Sequence, residues 1–428
     1  MTYQIRSSRL AGIGSVPGSK SHTMRAILFA SMANGKSVIN NILPSTDTLA
    51  MVNAFTALGA SIEWKENTLI VEGTGGRLVP PANVIDVGNS GQALRFVSAL
   101  VSLMPHYTVL TGDHSIRALR PMAPLIEGLS HLGAFAVSSK GDGYAPIIIR
   151  GPSKAGMVAL DGQDSQPISA LLILAAFLEG RTLIRVFNPG ELPWIGLTLH
   201  WLDRFNIRYE NREFSQYTVI GPNSLQGFEY TVPSDWSSAA FPIAAALVTN
   251  SEITLENISF DDPQGDKEII AALEKMGARF TQDKQGKCLH VHKHEGLSGA
   301  ILDVNHIIDA VPVLAVVASF ALTSTTIAGA RIARQKESDR LSTISAELKK
   351  MGAHIDELED GLTIHPSHLR GAEVFSHYDH RIAMALAVAA LGSKNTTIIK
   401  ETSCVAKSFP GFVEAMRGWR ASIEELAV

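Results

Sequence analysis

Hydrophobic and polar positions along the chain repeat as whole units. An apolar-periodic segment ends in an apolar-Gly-Ala signal, and an extended stretch follows. The signal stands at Leu58-Gly59-Ala60, Leu132-Gly133-Ala134, Met276-Gly277-Ala278 and Met351-Gly352-Ala353, with degenerate copies at Phe205-Asn206-Ile207 and Trp419-Arg420-Ala421. Glycine, or asparagine once, fits the left-handed C′ position that ends a helix. Stretches such as Thr68-Leu69-Ile70-Val71-Glu72-Gly73 and Gly361-Leu362-Thr363-Ile364-His365 then read as strands. Each unit also holds a helix that is apolar nearly all round: Ile27 to Met32, Ala93 to Leu103, Ile168 to Leu178, Ala239 to Val248, Val311 to Leu322 and Ile382 to Leu391. Such helices are buried ones. The copies recur about every 70 residues, too far apart for a solenoid, so each is expected to be a small α/β module. Six of them predict two three-fold globular halves whose buried helices turn their N-termini to a shared cleft.

The polar turns before these helices carry the candidate chemistry. They are Ser19-Lys20-Ser21, Gly88-Asn89-Ser90-Gly91, Asp164-Ser165-Gln166, Ser234-Asp235-Trp236-Ser237-Ser238, His306-Ile307-Ile308-Asp309 and Tyr378-Asp379-His380-Arg381. Ser, Asp and Asn there also serve as plain N-caps. In the first turn, Pro17-Gly18 hands over to a helix whose first turns bear Lys20, Ser21 and Arg25. Free N–H groups and the dipole at a helix start attract anions, whereas cations there oppose the dipole. Their presence points to a bound anion, with a solvated basic helix as the plainer alternative. Further cations stand at Arg120 before Pro121, at Arg381, and at Lys407 before Ser408-Phe409-Pro410. The run Arg334-Gln335-Lys336-Glu337-Ser338-Asp339-Arg340 is read as opening the helix that ends at Gly352. Lys336 and Arg340 then form an i,i+4 pair of like charge that asks for an anionic partner, while Glu337 and Asp339 equally suit a salt-bridged helix start. Candidate acid–base groups are Asp309, Glu337, Asp379 and His380, with a buried N-cap the commoner fate of Asp379.

Composition narrows the classes. The 428 residues are 46% hydrophobic and 18% charged, with a net charge of −4. That is a globular composition without bulk attraction to nucleic acid or membrane. Cys288 and Cys404 form neither a metal spacing nor a disulfide framework, and no apolar run would span a bilayer. A cytoplasmic protein is expected. No G-x-S-x-G, H-E-x-x-H or Walker A pattern is present, and Gly88-Asn89-Ser90-Gly91 lacks dinucleotide-site spacing.

Pro17-Gly18-Ser19-Lys20-Ser21 with Arg25, Gly88-Asn89-Ser90-Gly91 with Arg95, Gly112-Asp113 leading to Arg120-Pro121, Lys336-Glu337-Ser338-Asp339-Arg340, Asp379-His380-Arg381-Ile382-Ala383-Met384-Ala385 and Cys404-Val405-Ala406-Lys407-Ser408-Phe409-Pro410 resemble the signature blocks of the 5-enolpyruvylshikimate-3-phosphate synthases. They run in order from about residue 16 to 412. The resemblance implies an α/β (α+β), two-domain enolpyruvyl-transferase fold: six βαβαββ repeats forming two three-fold inside-out barrels with buried helices. Residues 21–233 would form a continuous domain, and 1–20 plus 234–428 a discontinuous one. It implies transfer of the enolpyruvyl group of phosphoenolpyruvate to the 5-hydroxyl of shikimate 3-phosphate, by a monomer without metal or organic cofactor. Carried over residue by residue, Lys20 would sit between both substrates, with Ser21 and Arg25 on shikimate 3-phosphate. Gly91, Arg120, Arg340, Arg381 and Lys407 would hold phosphoenolpyruvate. Ser165 and Gln166 would bind the shikimate side, assisted by Lys336. Asp309 would accept the hydroxyl proton, and Glu337 would protonate the methylene carbon.

The chain departs from the family pattern at Asp164 and Glu191, which stand in usual serine slots. Trp194, Ile332 and Phe96 stand where tyrosine, asparagine and proline are usual. The two acids are expected to repel an acceptor phosphate unless a cation compensates. Two alternatives stay open: the sister transferase acting on UDP-N-acetylglucosamine, and a non-catalytic anion-binding relative. The first is disfavoured by Ser21 after Lys20 and by a cysteine-free Gly112-Asp113-His114-Ser115 loop. The second is disfavoured by the retained cations and proton carriers.

Overall fold

A computed structural model describes residues 1–426. The chain divides into two compact units, Gly18–Val232 and Met1–Pro17 with Pro233–Val428. Each has its own hydrophobic core. The divisions fall at Pro17/Gly18 and Val232/Pro233, so Lys20 belongs to the continuous unit and not, as expected from sequence, to the discontinuous one.

In the Gly18–Val232 unit, three four-stranded sheets share one topology. Ile85–Asp86 lies parallel to Tyr107–Thr111, which pairs antiparallel with Ile147–Arg150 and through it with Phe135–Ser138. Met157–Asp161, Gly180–Phe187, Gln216–Gly221 and Tyr209–Arg212 repeat that order. The third sheet takes its parallel strand, Glu229–Thr231, from the far end of the unit to pair with Asn34–Asn40. Crossover helices join the parallel strands of the first two sheets, as parallel pairing requires.

The discontinuous unit has the same three sheets. Ile13–Ser15 runs parallel to Ile253–Glu256, and Thr2–Ile5 sits between Thr397–Lys400 and Ile423–Leu426. The third sheet is Ile301–Asp303, Thr325–Ala328, Gly361–His365 and His354–Leu358 in pairing order. Two N-terminal strands thus tie residues 1–17 to the C-terminal half, so one sheet of the continuous unit and two of the discontinuous unit are completed by a strand distant in sequence.

The six apolar segments are the buried helices Lys20–Met32, Gly91–Val101, Ser165–Ala175, Trp236–Val248, Val311–Ser319 and His380–Gly392. The second, third and fifth end two or three residues earlier than their apolar runs. In the discontinuous unit the three buried helices pack on one another, and in the other unit Gly91–Val101 packs on Ser165–Ala175. Every copy of the helix-end signal adopts positive φ, from Gly59 at 105° to Asn206 at 53°, and Arg420 does so at 69°. A non-glycine residue there carries a steric cost that glycine avoids.

Candidate active site

Five of the six buried helices are capped by the side chain before them. Ser19 accepts from His22 N, Ser90 from Ala93 N, Asp164 from Gln166 N, Asp235 from Ser238 N and Asp379 from Arg381 N. Asp309 is the exception: Val311–Ser319 has no side-chain cap, and a 3-10 turn, Asn305–Ala310, precedes it. Its carboxylate is therefore left to face cations.

Those cations form a buried cluster in the discontinuous unit. Arg340 turns its fork onto three carboxylates: Nε to Asp379 Oδ2 at 2.8 Å, Nη1 to Asp309 Oδ1 at 2.6 Å, and Nη2 to Glu337 Oε2 at 2.7 Å. Burial opposes the Arg340 charge, but Asp379, Glu337 and Asp309 more than offset it and hold the pKa above the ordinary arginine value. Lys407 Nζ reaches the other Glu337 oxygen at 2.8 Å. Arg381 Nη2 reaches Asp309 Oδ2 at 3.0 Å, and its buried Nε has no hydrogen-bond partner among the described residues. Three carboxylates and three cations share the cluster, so it holds little net charge.

The run from Arg334 is not one helix. Arg331–Gln335 is a short 3-10 turn, Lys336 is non-helical, and the helix Arg340–Lys350 begins after the Asp339 cap. The expected i,i+4 relation of Lys336 and Arg340 is thereby lost. Arg334 instead bonds Asp339 and Glu357, each at 2.8 Å, as in the plainer salt-bridged reading. Glu337 and Asp379 oxygens and a His380 ring nitrogen lie within 4.8 Å of one another, a spacing open to a metal ion. Arg340 already bonds both carboxylates, which makes the group an ion-pair network.

Sequence reasoning missed Asp266. It is buried on the Gly265–Glu268 turn, which packs against Asn305–Ala310, and Ser237 donates a hydrogen bond to it. Burial, with Asp309 beside it, pushes the carboxyl up to about 7. No motif flags a single aspartate whose partners come from distant turns. Since its folded-state pKa lies above the unfolded value, Asp266 contributes stability that is full below about pH 4 and is lost as pH rises through 7. Asp266→Asn keeps the Ser237 hydrogen bond without the charge. Thermal unfolding from pH 4 to 8 should show the variant gaining on the parent across pH 4–7; parallel curves would contradict this.

The continuous unit gathers the other predicted residues. Lys20 opens its helix, with Nζ 3.5 Å from Asp47 Oδ2. Arg25 is buried, and its hydrogen bonds go to neutral oxygens: Thr198 Oγ1 at 2.8 Å, the Ser21 carbonyl at 3.2 Å and the Trp194 carbonyl at 3.3 Å. Phe96 lies under its guanidinium at 5.2 Å. Burial pulls the Arg25 pKa down to about 9. A buried guanidinium with neutral partners favours an anion beside it.

Arg95 bonds Gln166 Oε1 and the Pro121 carbonyl, and pairs with Asp164 at 3.0 Å. Arg120 is buried next to it, and Gly91 makes room for both: a Cβ at Gly91 would stand 3.0 Å from Arg95 Nη1 and 3.8 Å from Arg120 Cδ. The compensating cation for Asp164 is thus Arg95. Glu191 is handled differently, its Oε2 accepting from both Ser165 N and Ser165 Oγ at 3.1 Å.

The family model for EPSP synthase (3-phosphoshikimate 1-carboxyvinyltransferase) matches residues 5–416. The 3-phosphoshikimate 1-carboxyvinyltransferase of Chlamydia caviae is 41% identical over 99% of this chain and 95% of its own length. That of Ruminiclostridium cellulolyticum is 39% identical over 99% of this chain and all of its own. A solved EPSP synthase from Acinetobacter baumannii superposes with a TM-score of 0.83 at 31% identity, covering 99% of each chain. The repeated βαβαββ units and the match along nearly every residue lead to one conclusion: the chain belongs to the EPSP synthase family.

Proposed function

We propose that the protein transfers the enolpyruvyl group of phosphoenolpyruvate to the 5-hydroxyl of shikimate 3-phosphate and releases phosphate, through a tetrahedral ketal intermediate. The observation that carries this reading is the pairing of two carboxylates with the cations a phosphate ester would compete for: Glu337 on Lys407 and Arg340, Asp309 on Arg340 and Arg381. An anionic donor that draws Lys407 away raises the proton affinity of Glu337, readying it to protonate the methylene carbon. Asp309 then takes the proton of the attacking hydroxyl. In the elimination a methyl proton returns to the Glu337 carboxylate as phosphate leaves, and Arg381 and Lys407 offset the charge on the departing phosphate.

In the Gly18–Val232 unit, Arg25 and Ser21 serve the acceptor, Lys20 serves both substrates, and Gly91 and Arg120 serve the donor. Ser165, Gln166 and Lys336 serve the shikimate side. No step calls for a metal or organic cofactor. Two free cysteines suit a cytoplasmic setting. Among the described residues no helix is long and apolar enough to cross a membrane.

Addition followed by elimination passes through a freely rotating methyl group, so reversal returns solvent hydrogen to the vinyl carbon. In deuterium oxide, phosphoenolpyruvate recovered before completion should carry deuterium only when shikimate 3-phosphate is present. Turnover with no deuterium in either donor or product would contradict protonation at that carbon.

A further inference from the structure

The three buried helices of the Gly18–Val232 unit have unlike N-terminal ends. Two are capped by neutral serines, Ser19 and Ser90. The third, Ser165–Ala175, meets two carboxylates: Asp164 caps Gln166 N and is paired with Arg95, while Glu191 bonds both donors of Ser165. Glu191 reaches that end from a buried, left-handed position, φ 48°, where its own helix, Leu192–Arg204, has no side-chain cap. A non-glycine residue in this conformation persists only where its surroundings hold it. The helix that Glu191 leads into supplies the Trp194 carbonyl and Thr198 hydroxyl to Arg25, so the carboxylate on Ser165 and the neutral partners of the buried guanidinium come from one stretch of chain.

We infer that Glu191 is a specificity-determining residue: its carboxylate is a built-in anion that occupies the Ser165 donors and bars a substrate phosphate from them. This rests on the reading of the acceptor as a phosphate ester with Ser165 on its side of the site. An acceptor phosphate gains the Ser165 N–H and hydroxyl only when Glu191 leaves them. The anionic parts of the acceptor are otherwise directed to Arg25. The cost falls on acceptor binding and leaves donor binding alone.

The test compares the parent, Glu191→Ser and the isosteric Glu191→Gln. Removing the charge should lower the acceptor KM about tenfold with the phosphoenolpyruvate KM unchanged, as expected for loss of one like-charge contact. Titration with inorganic phosphate should show tighter binding in both variants, and adding Ser165→Ala to Glu191→Ser should shrink that gain. An acceptor KM that stays level or rises in folded Glu191→Gln overturns the inference, as does a phosphate affinity equal to the parent's. If Glu191→Ser does not fold, Glu191→Gln decides alone. If the parent itself is inactive with shikimate 3-phosphate, the functional reading fails, and the inorganic-phosphate titration still decides the role of Glu191.

Discussion

Glu337→Gln should lower acceptor-dependent phosphate release by about 10²–10⁴-fold, the range a positioned general acid contributes. The amide would keep the shape of the side chain and one acceptor oxygen, so Arg340 retains Asp309, Asp379 and a neutral partner. Lys407 loses the Glu337 charge, to which its 2.8 Å bond is made. Glu337 is nearly buried and bridges two cations, so its carboxylate has a structural role beside proton transfer. A stability loss of about 1–3 kcal/mol should accompany the loss of rate. Acceptor affinity, measured by calorimetry, should stay within a few-fold of the parent. A rate within tenfold of the parent would remove Glu337 from the proton-transfer role.

The largest effect on folding is expected from Arg340→Met. Methionine fills much of the volume but leaves Asp379, Asp309 and Glu337 in a low-dielectric site without the fork that joins them. Breaking a buried ion pair from one side costs about 3–5 kcal/mol because the remaining charge is uncompensated. Denaturant unfolding should show the midpoint falling by that equivalent with the slope unchanged. Arg340→Lys should recover only part of it, because an ammonium group cannot bond three carboxylates through a planar fork. A loss below about 1 kcal/mol for Arg340→Met would mean that the carboxylates find other partners.

What the sequence disclosed follows from where local physics dominates. A left-handed helix end selects glycine or asparagine, so the Gly59, Gly133, Asn206, Gly277 and Gly352 ends stood out, and Arg420 was visible only by its spacing. Buried helices are apolar over most of every face, with few polar exceptions, so all six were marked by apolar runs. Register across distant segments is not local. Nothing in Ile13–Ser15 or Glu229–Thr231 names the partner strands Ile253–Glu256 and Asn34–Asn40.

At the site, residue types were legible but their pairings were not. The like-charge spacing of Lys336 and Arg340 suggested one helix, yet Asp339, an ordinary N-cap type, marks where that helix begins. The acids at 164 and 191 looked alike in sequence. Only the structure separates an aspartate neutralised by Arg95 from a glutamate placed on Ser165.

The most direct test of the account measures phosphate release from phosphoenolpyruvate by purified protein, with shikimate 3-phosphate in one reaction and UDP-N-acetylglucosamine in another. Release with shikimate 3-phosphate alone is the predicted result. Release with the sugar nucleotide alone would assign the acceptor to the sister transferases, and silence in both would contradict the enzymatic reading.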